Sequence, residues 1–427
     1  MEVILTIFLF ALGACVGSFL NVVIWRLPRG ESIVFPGSHC PRCGRGIAWY
    51  DNIPLLSWIA LRARCRRCKA PISPRYIVVE AVTAVLVAGL FMWLYMARLR
   101  SGAGDIRETW PMFLAHAVLF CGLLACSLVD IESWIIPLEV CWLVSLVGVV
   151  CAGASPPPER FLPAVSPAAG AMAIAAVVGL GIAMLLVHYG FIQRSFLDAE
   201  DRPAVELAAR QAAKTPNEAN ASKGKKARRD KNSAKCAARP ARQQSPIRSV
   251  AFGKEHGVSP RREILREVLF LAPAIILAVA AWLLVTKVGP VRLAWLDLNN
   301  PAHTVWAPHL TAALAALLGY LVGGLWIWAF RIFGTLGFGR EAMGLGDVHI
   351  LAAVGAVCGW VVPSITFFMA AFLALAWAMT VFVIRKQREL PYGPWLAAGA
   401  LVTVLFYDYL RELLGPYAEV LKVLSGG

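Results

Sequence analysis

Charge is scarce in this chain. Only 16% of its 427 residues are Asp, Glu, Lys or Arg, against about a quarter in an ordinary soluble domain. That shortage excludes a typical cytosolic enzyme and a charge-rich disordered protein. Acid is scarcer than base: 26 acidic side chains stand against 41 basic ones, for a net charge of +15. No basic segment precedes the first apolar run, no small-residue cleavage site follows it, and the first positive charge is Arg26. The opening therefore reads as an uncleaved span rather than a signal peptide. A Gly-rich nucleotide loop of the usual kind is also missing, as is an internal repeat of fixed period.

Apolar sequence is abundant. Hydrophobic residues make up 59% of the chain and the mean hydropathy is +0.65. A bilayer core about 30 Å thick takes roughly 20 residues of helix. Apolar stretches at 3–25, 76–97, 111–129, 135–153, 166–191, 268–286, 308–330, 348–361, 362–384 and 394–411 fit that requirement, 348–361 being short enough for a half-span. The fold class expected is an all-α polytopic membrane bundle of eight to ten spans with a small zinc-bound cytoplasmic domain. The expected divisions are a first transmembrane helix (1–25), a tetracysteine domain (26–75), helices with a first key aspartate (76–154), an inserted helix hairpin (155–307) and helices with a GxGD motif (308–427).

The location of the charge sets the orientation. Segment 26–75 holds ten Lys/Arg against Glu31 and Asp51, and segment 192–267 holds eighteen against nine acids. With ten crossings and loop 26–75 inside, Lys/Arg favour the inner side by 15 to 8 even after the long 192–267 loop is discounted. The amino terminus is then outside. Segment 192–267 is poor in aromatics and rich in Ala, Lys, Arg, Gln and Ser. It reads as a basic, disordered tether near anionic headgroups of the lipid bilayer, and no nucleic-acid partner is expected.

Four cysteines form a pattern. Cys40-Pro-Arg-Cys43 and Cys65-Arg-Arg-Cys68 are two CxxC knuckles separated by 21 residues. That spacing fits a tetrathiolate zinc site, and four fixed ligands can fold a loop too small for its own core. Arg42, Arg64, Arg66, Arg67 and Lys69 favour thiolates. A reducing cytoplasmic location weighs against disulfides. Cys15, Cys121, Cys126, Cys141, Cys151 and Cys358 lie in apolar stretches and read as small buried hydrophobes.

Two aspartates stand at span edges. Asp130 closes the third span, and Asp347 ends Gly344-Leu345-Gly346-Asp347 after the seventh. Both follow odd-numbered spans, so both fall on the inner face although 217 positions separate them. Ionisable residues at such edges are functional candidates by default. Two carboxylates in one partly dry site do not both ionise easily and can share a proton across a water. One then deprotonates the water, and the other polarises a scissile carbonyl and later protonates the leaving amine. Gly344 and Gly346 are supporting candidates, because glycine allows a tight turn and close approach of a substrate backbone. Glu132, Glu139 and Glu341 are nearby competitors, and Glu80 reads as a buried polar contact within the bundle.

At this point the motifs resemble a known family. Gly17-Ser-Phe-Leu-Asn-Val-Val-Ile-Trp-Arg-Leu-Pro28, Ser38-His-Cys-Pro-Arg-Cys43, Asp51-Asn-Ile-Pro-Leu-Leu-Ser-Trp58, Ile72-Ser-Pro-Arg-Tyr76, Glu341-Ala-Met-Gly-Leu-Gly-Asp347 and Pro391-Tyr-Gly-Pro394 look like those of the bifunctional prepilin peptidases. These are aspartyl proteases of the bacterial inner membrane that serve type IV pilus and type II secretion systems. The resemblance covers roughly 13–153 and 308–411. It implies Asp130 and Asp347 as the catalytic pair, Cys40, Cys43, Cys65 and Cys68 as the zinc ligands, and prepilins or pseudopilins as substrates cut at the cytoplasmic face. It also implies N-methylation of the new terminus with S-adenosylmethionine, for which the residues themselves supply no site. A zinc-ribbon scaffold or transporter without protease activity is the alternative. Three departures from the family stand out. His349 occupies a position usually held by Lys, Leu138 follows Pro137 where a polar residue is common, and roughly 155–300 is inserted. The insertion carries two extra spans, a parity that leaves Asp347 on the same face.

Overall fold

The computed structural model describes residues 2–100, 102–192, 260–339, 342–385, 391–413 and 415. Most of the basic tether, together with Cys236 and Glu341, lies outside the described residues. Every expected apolar stretch corresponds to a helix, and no strand occurs among the described residues.

Helix α1 (Glu2–Arg26) precedes the cysteine loop, which contains the short α2 (Leu56–Ala60). Next come α3 (Arg75–Phe91), extended by a π-turn over Met92–Met96, α4 (Ile106–Ser133) and α5 (Leu138–Ala154). The inserted pair is α6 (Pro167–His188) and α7 (Pro260–Lys287), followed by α8 (Gly289–Leu298). Helices α9 (Ala307–Phe338), α10 (Leu345–Cys358), α11 (Val361–Arg385) and α12 (Gly393–Leu405) complete the bundle. Local chemistry marks several ends. The Asp105 side chain accepts from the Arg107 amide to start α4, and Ser166 accepts from the Ala169 amide ahead of Pro167 at α6. Gly339 ends α9 in the left-handed region that glycine tolerates.

Among the described residues seven helices are long and apolar enough to cross a membrane, or eight if the pair bent by 80° at 393–405 and 407–413 is one span. The other two expected spans are α5 and α10, with 17 and 14 residues. Helix α10 is short because it is the centre of the bundle and not one of its walls. From Asp347 on, every residue but His349 is enclosed by α4, α5, α9, α11 and α12. The short α8 was not expected from the sequence, which has no long apolar run there. It docks through Trp295, whose indole N–H donates to the Pro167 carbonyl at 2.7 Å.

Two pairs of glycines at helical spacing set close helix–helix contacts. A Cβ at Gly319 would lie 2.1 Å from the Gly355 oxygen, and one at Gly323 would lie 2.2 Å from the Leu351 oxygen. Helices α9 and α10 thus touch backbone to backbone, as small-xxx-small pairs permit inside membranes. Gly13 and Gly17 play the same part between α1 and α3, where Cβ atoms would meet Ala84 and Glu80 Cα at 2.8 and 2.7 Å.

Candidate active site

The cysteine loop is built from two copies of one turn. In the first knuckle the Gly44 amide donates to the Cys40 carbonyl and the Cys40 amide to the Arg45 carbonyl. In the second, Lys69 donates to Cys65 and Cys65 to Ala70. Each turn places the residue after its second cysteine at positive φ: Gly44 at 66° and Lys69 at 58°. All four sulfurs lie within 4.8 Å of one another, with Cys40 and Cys68 at 3.8 Å, and none is in a disulfide. A tetrahedron of Zn–S bonds near 2.3 Å has sulfur–sulfur edges of about 3.8 Å. The donor set therefore fits a metal ion.

The electrostatics agree. Backbone amides of Cys43 and Arg42 lower the Cys40 thiol, and those of Cys68 and Arg67 pull Cys65 down to about 6. The Ala70 amide also favours a Cys68 thiolate, but desolvation and the three neighbouring sulfurs outweigh it and push Cys68 up to about 11. A fourth negative charge is costly in such a cluster, and a divalent cation relieves that cost. Nearby, Arg66 holds Asp51 with two nitrogens at 2.6–3.0 Å, which keeps the Asp51 carboxyl below its usual range.

The loop is tied to the membrane bundle at several points. The buried Glu80 carboxylate on α3 accepts from the Leu55 amide at 2.8 Å, fixing a residue whose φ is 62°. Glu80 is buried as expected, but its partner belongs to the loop and not, as expected, to the bundle. Arg26 donates to the carbonyls of Ser32 and Pro36, and Asn21 to that of Tyr76. Arg75, at the end of the loop, pairs with Glu132 at 2.5 Å. Glu132 is thus engaged two residues beyond Asp130.

Asp130 sits in the last turn of α4, which ends where Trp134 adopts a φ of 57° and its amide returns to the Asp130 carbonyl. Asp347 is the third residue of α10, after Gly344 at the cap. Both are enclosed, with exposures of 5% and 7%. Their surroundings interlock. The Gly393 amide donates to Asp130 Oδ2 at 3.0 Å, and a Cβ at Gly393 would lie 2.7 Å from that oxygen and 3.4 Å from Ile350, one turn beyond Asp347. A Cβ at Gly346 would lie 2.6 Å from Ile136 in the turn after Asp130. Asp130 and Arg331 both lie near enough to Asp347 for their charges to bear on it. Tyr392 in turn feels the charge of Asp347. Asp347 Oδ1 is buried with no hydrogen-bond partner among the described residues.

The structure therefore brings Asp130, Asp347, Gly344 and Gly346 to one end of the bundle, the end that also carries the cysteine loop. The two groups are joined through the Arg75–Glu132 pair. Asp347 lies at the positive end of its helix and Asp130 at the negative end of its own. His349 does not join them. Its ring meets the edge of Trp142 at 6.2 Å. Sequence reasoning gave no role to Gly393, Arg331 or the paired glycines 319 and 323. The last had a signal in their spacing, and Arg331 had one in being a charge at the end of a long apolar run.

Comparison with known proteins adds an independent line. Residues 11–94 match the family model of the bacterial peptidase A24 N-terminal domain. The prepilin leader peptidase/N-methyltransferase of Myxococcus xanthus is 48% identical over 147 residues, covering 34% of this chain and 40% of that protein. The type 4 prepilin-like proteins leader peptide-processing enzyme of Escherichia coli is 37% identical over 177 residues, 36% of this chain and 59% of that one. A Pseudomonas aeruginosa prepilin leader peptidase/N-methyltransferase is 36% identical over 159 residues, 31% and 50% respectively. The chain thus spans about half the length of the curated relatives it matches. No solved structure matches it. The resemblance read from the motifs is borne out. The stretch that matches the family model takes in the cysteine loop and Glu80, while Asp130 and Asp347 lie beyond it.

Proposed function

We propose that this chain is a membrane aspartyl endopeptidase that removes leader peptides from type IV prepilins or pseudopilins. The observation that supports the reading is that two enclosed carboxylates, Asp130 and Asp347, stand in one neighbourhood, with Gly393 and the Ile136–Gly346 contact linking the residues around them. Such a pair holds one shared proton and one water. The ionised member takes a proton from the water, which attacks the scissile carbonyl. The protonated member polarises that carbonyl and protonates the departing amine. The orphan oxygen of Asp347 suits a water or a substrate oxygen. The exposed Ile131, Trp134 and Ile135 beside Asp130 suit an apolar helix entering from the side.

In this reading the site faces the cytoplasm of a bacterial inner membrane, with the basic loop 26–75 on the same side. The four cysteines hold zinc, and zinc there supplies folding energy to the loop. N-methylation by S-adenosylmethionine is the second half of the proposal. It rests on the names of the relatives. No cluster among the described residues singles out a methyl-donor pocket, so no step is assigned to side chains. A scaffold or transporter without protease activity is not favoured.

The test uses the purified chain in detergent with a prepilin and labelled S-adenosylmethionine. A mass loss equal to the leader, cut after its glycine, is expected, followed by label on the new terminus. An intact prepilin after prolonged incubation would remove the protease reading, and a cleaved but unlabelled one would remove the methylation.

A further inference from the structure

The inserted hairpin reaches toward the aspartate site through a buried side chain. Glu267 lies in the second turn of α7, within the segment that the resemblance leaves unexplained. Its carboxylate is 3% exposed and accepts from Arg331 Nε at 2.6 Å. It also accepts from the Trp328 indole N–H at 3.3 Å, and Phe270, one turn on, stacks over Trp328 with ring centroids 5.4 Å apart. Arg331, on α9, has 0% side-chain exposure. Its NH1 donates to the Met343 carbonyl, the residue immediately before Gly344-Leu345-Gly346-Asp347. A guanidinium is a rigid fork that binds two acceptors at a fixed angle. Here one prong is set by Glu267 and another fixes the entry to the turn that carries Asp347.

We propose that Glu267 is a positioning residue for the Asp347 turn: it orients Arg331, and Arg331 clamps the Met343 carbonyl so that Asp347 meets Asp130. The proposal rests on the protease reading for its catalytic consequence but not for its structural one. It gives the insertion a task that a free-standing membrane anchor would not have. Without Glu267 the guanidinium would lose the acceptor that fixes its Nε and would reorient toward its other neighbours, because a buried charge seeks compensation. The turn before Asp347 would then lose a fixed point. Displacement of a reacting group by 1 Å is enough to cost about 100-fold in rate.

The experiment compares Glu267→Ala, Arg331→Lys and the double variant Glu267→Met/Arg331→Met in the full chain. Two readouts are taken: amide hydrogen exchange over 343–347 without substrate, and kcat and KM for prepilin cleavage. Glu267→Ala and Arg331→Lys are expected to speed exchange over 343–347 and to lower kcat by about 100-fold with KM held. The double variant replaces the ion pair by apolar groups of similar volume and is expected to regain thermal stability. Its exchange stays fast and its kcat stays low, because nothing holds the Met343 carbonyl. Wild-type kcat in the double variant would show that the pair serves packing alone and would overturn the proposal. So would unchanged exchange over 343–347 in Glu267→Ala; should that variant not fold, the double variant's exchange decides the matter in the same way. A wild-type chain that leaves prepilin intact would defeat the protease reading while the exchange arm still tests the clamp.

Discussion

The cysteine loop and the aspartate site share one end of the bundle and are assembled by opposite means. The loop gathers four sulfurs with two short turns, each closed by hydrogen bonds that span four or five residues. The aspartates are 217 positions apart and meet only because α4, α10 and the turn at Gly393 pack together. One site is carried by local geometry and a donor set that could hold a metal ion, the other by a whole packed bundle. Damage should therefore separate them. A change in a knuckle should release metal and leave the helices in place, whereas a change in the central packing should disable the aspartates and leave the sulfurs in place.

The largest expected effect comes from the carboxylates. Asp130→Ala and Asp347→Ala are each expected to cut leader removal by about 10²–10⁴-fold, with metal content unchanged by elemental analysis. Normal cleavage by either variant would end the catalytic assignment. Next, Cys40→Ser or Cys68→Ser is expected to drop bound zinc well below one per chain, while the helical circular dichroism of the bundle persists. Stoichiometric metal in either variant would rule out the tetrathiolate site.

A milder probe targets the packing between α9 and α10. A Cβ at Gly355 would lie 1.9 Å from the Gly319 oxygen, so Gly355→Ala should destabilise the bundle by about 1–3 kcal/mol. Thermal melts should show this, with zinc retained. Gly181→Ala is the control, since a Cβ there meets nothing within 4 Å. Equal melting of the two variants would contradict the backbone contact. The smallest effect separates the two knuckles. Lys69 adopts a φ of 58° where the matching residue is Gly44, and left-handed backbone costs a side-chain-bearing residue roughly 1 kcal/mol. Lys69→Gly should thus stabilise the loop slightly, and Gly44→Lys should destabilise it, as read by chelator challenge. A loosened loop in Lys69→Gly would show that the turn geometry is not limiting.

The hydrophobic runs were legible because a span must satisfy its own backbone hydrogen bonds and so needs a long, continuous apolar stretch. The cysteine cluster was legible because CxxC fixes two ligands on one turn. The pairing of Asp130 with Asp347 was legible only as far as their common face, through the parity of spans. Arg331, Glu267 and Gly393 were not assigned roles, since each acts through a partner far along the chain. Glu267 in particular reads as one acid among nine in a basic segment, and nothing local marks it as buried.

By itself, then, the order of residues determined a helical membrane protein and the sulfur-bearing turns, and it led to the expectation that the two carboxylates share a face. Those features follow from composition, short-range backbone geometry and charge bias, all of which act within a few residues. Only the tertiary structure decided that α10 is the enclosed centre, that Gly393 and Ile136 bring the aspartates into one neighbourhood, and that the inserted hairpin reaches toward them through Glu267. Those features depend on which helix faces meet, and close packing selects the faces through the absence of a few Cβ atoms and the burial of single charges.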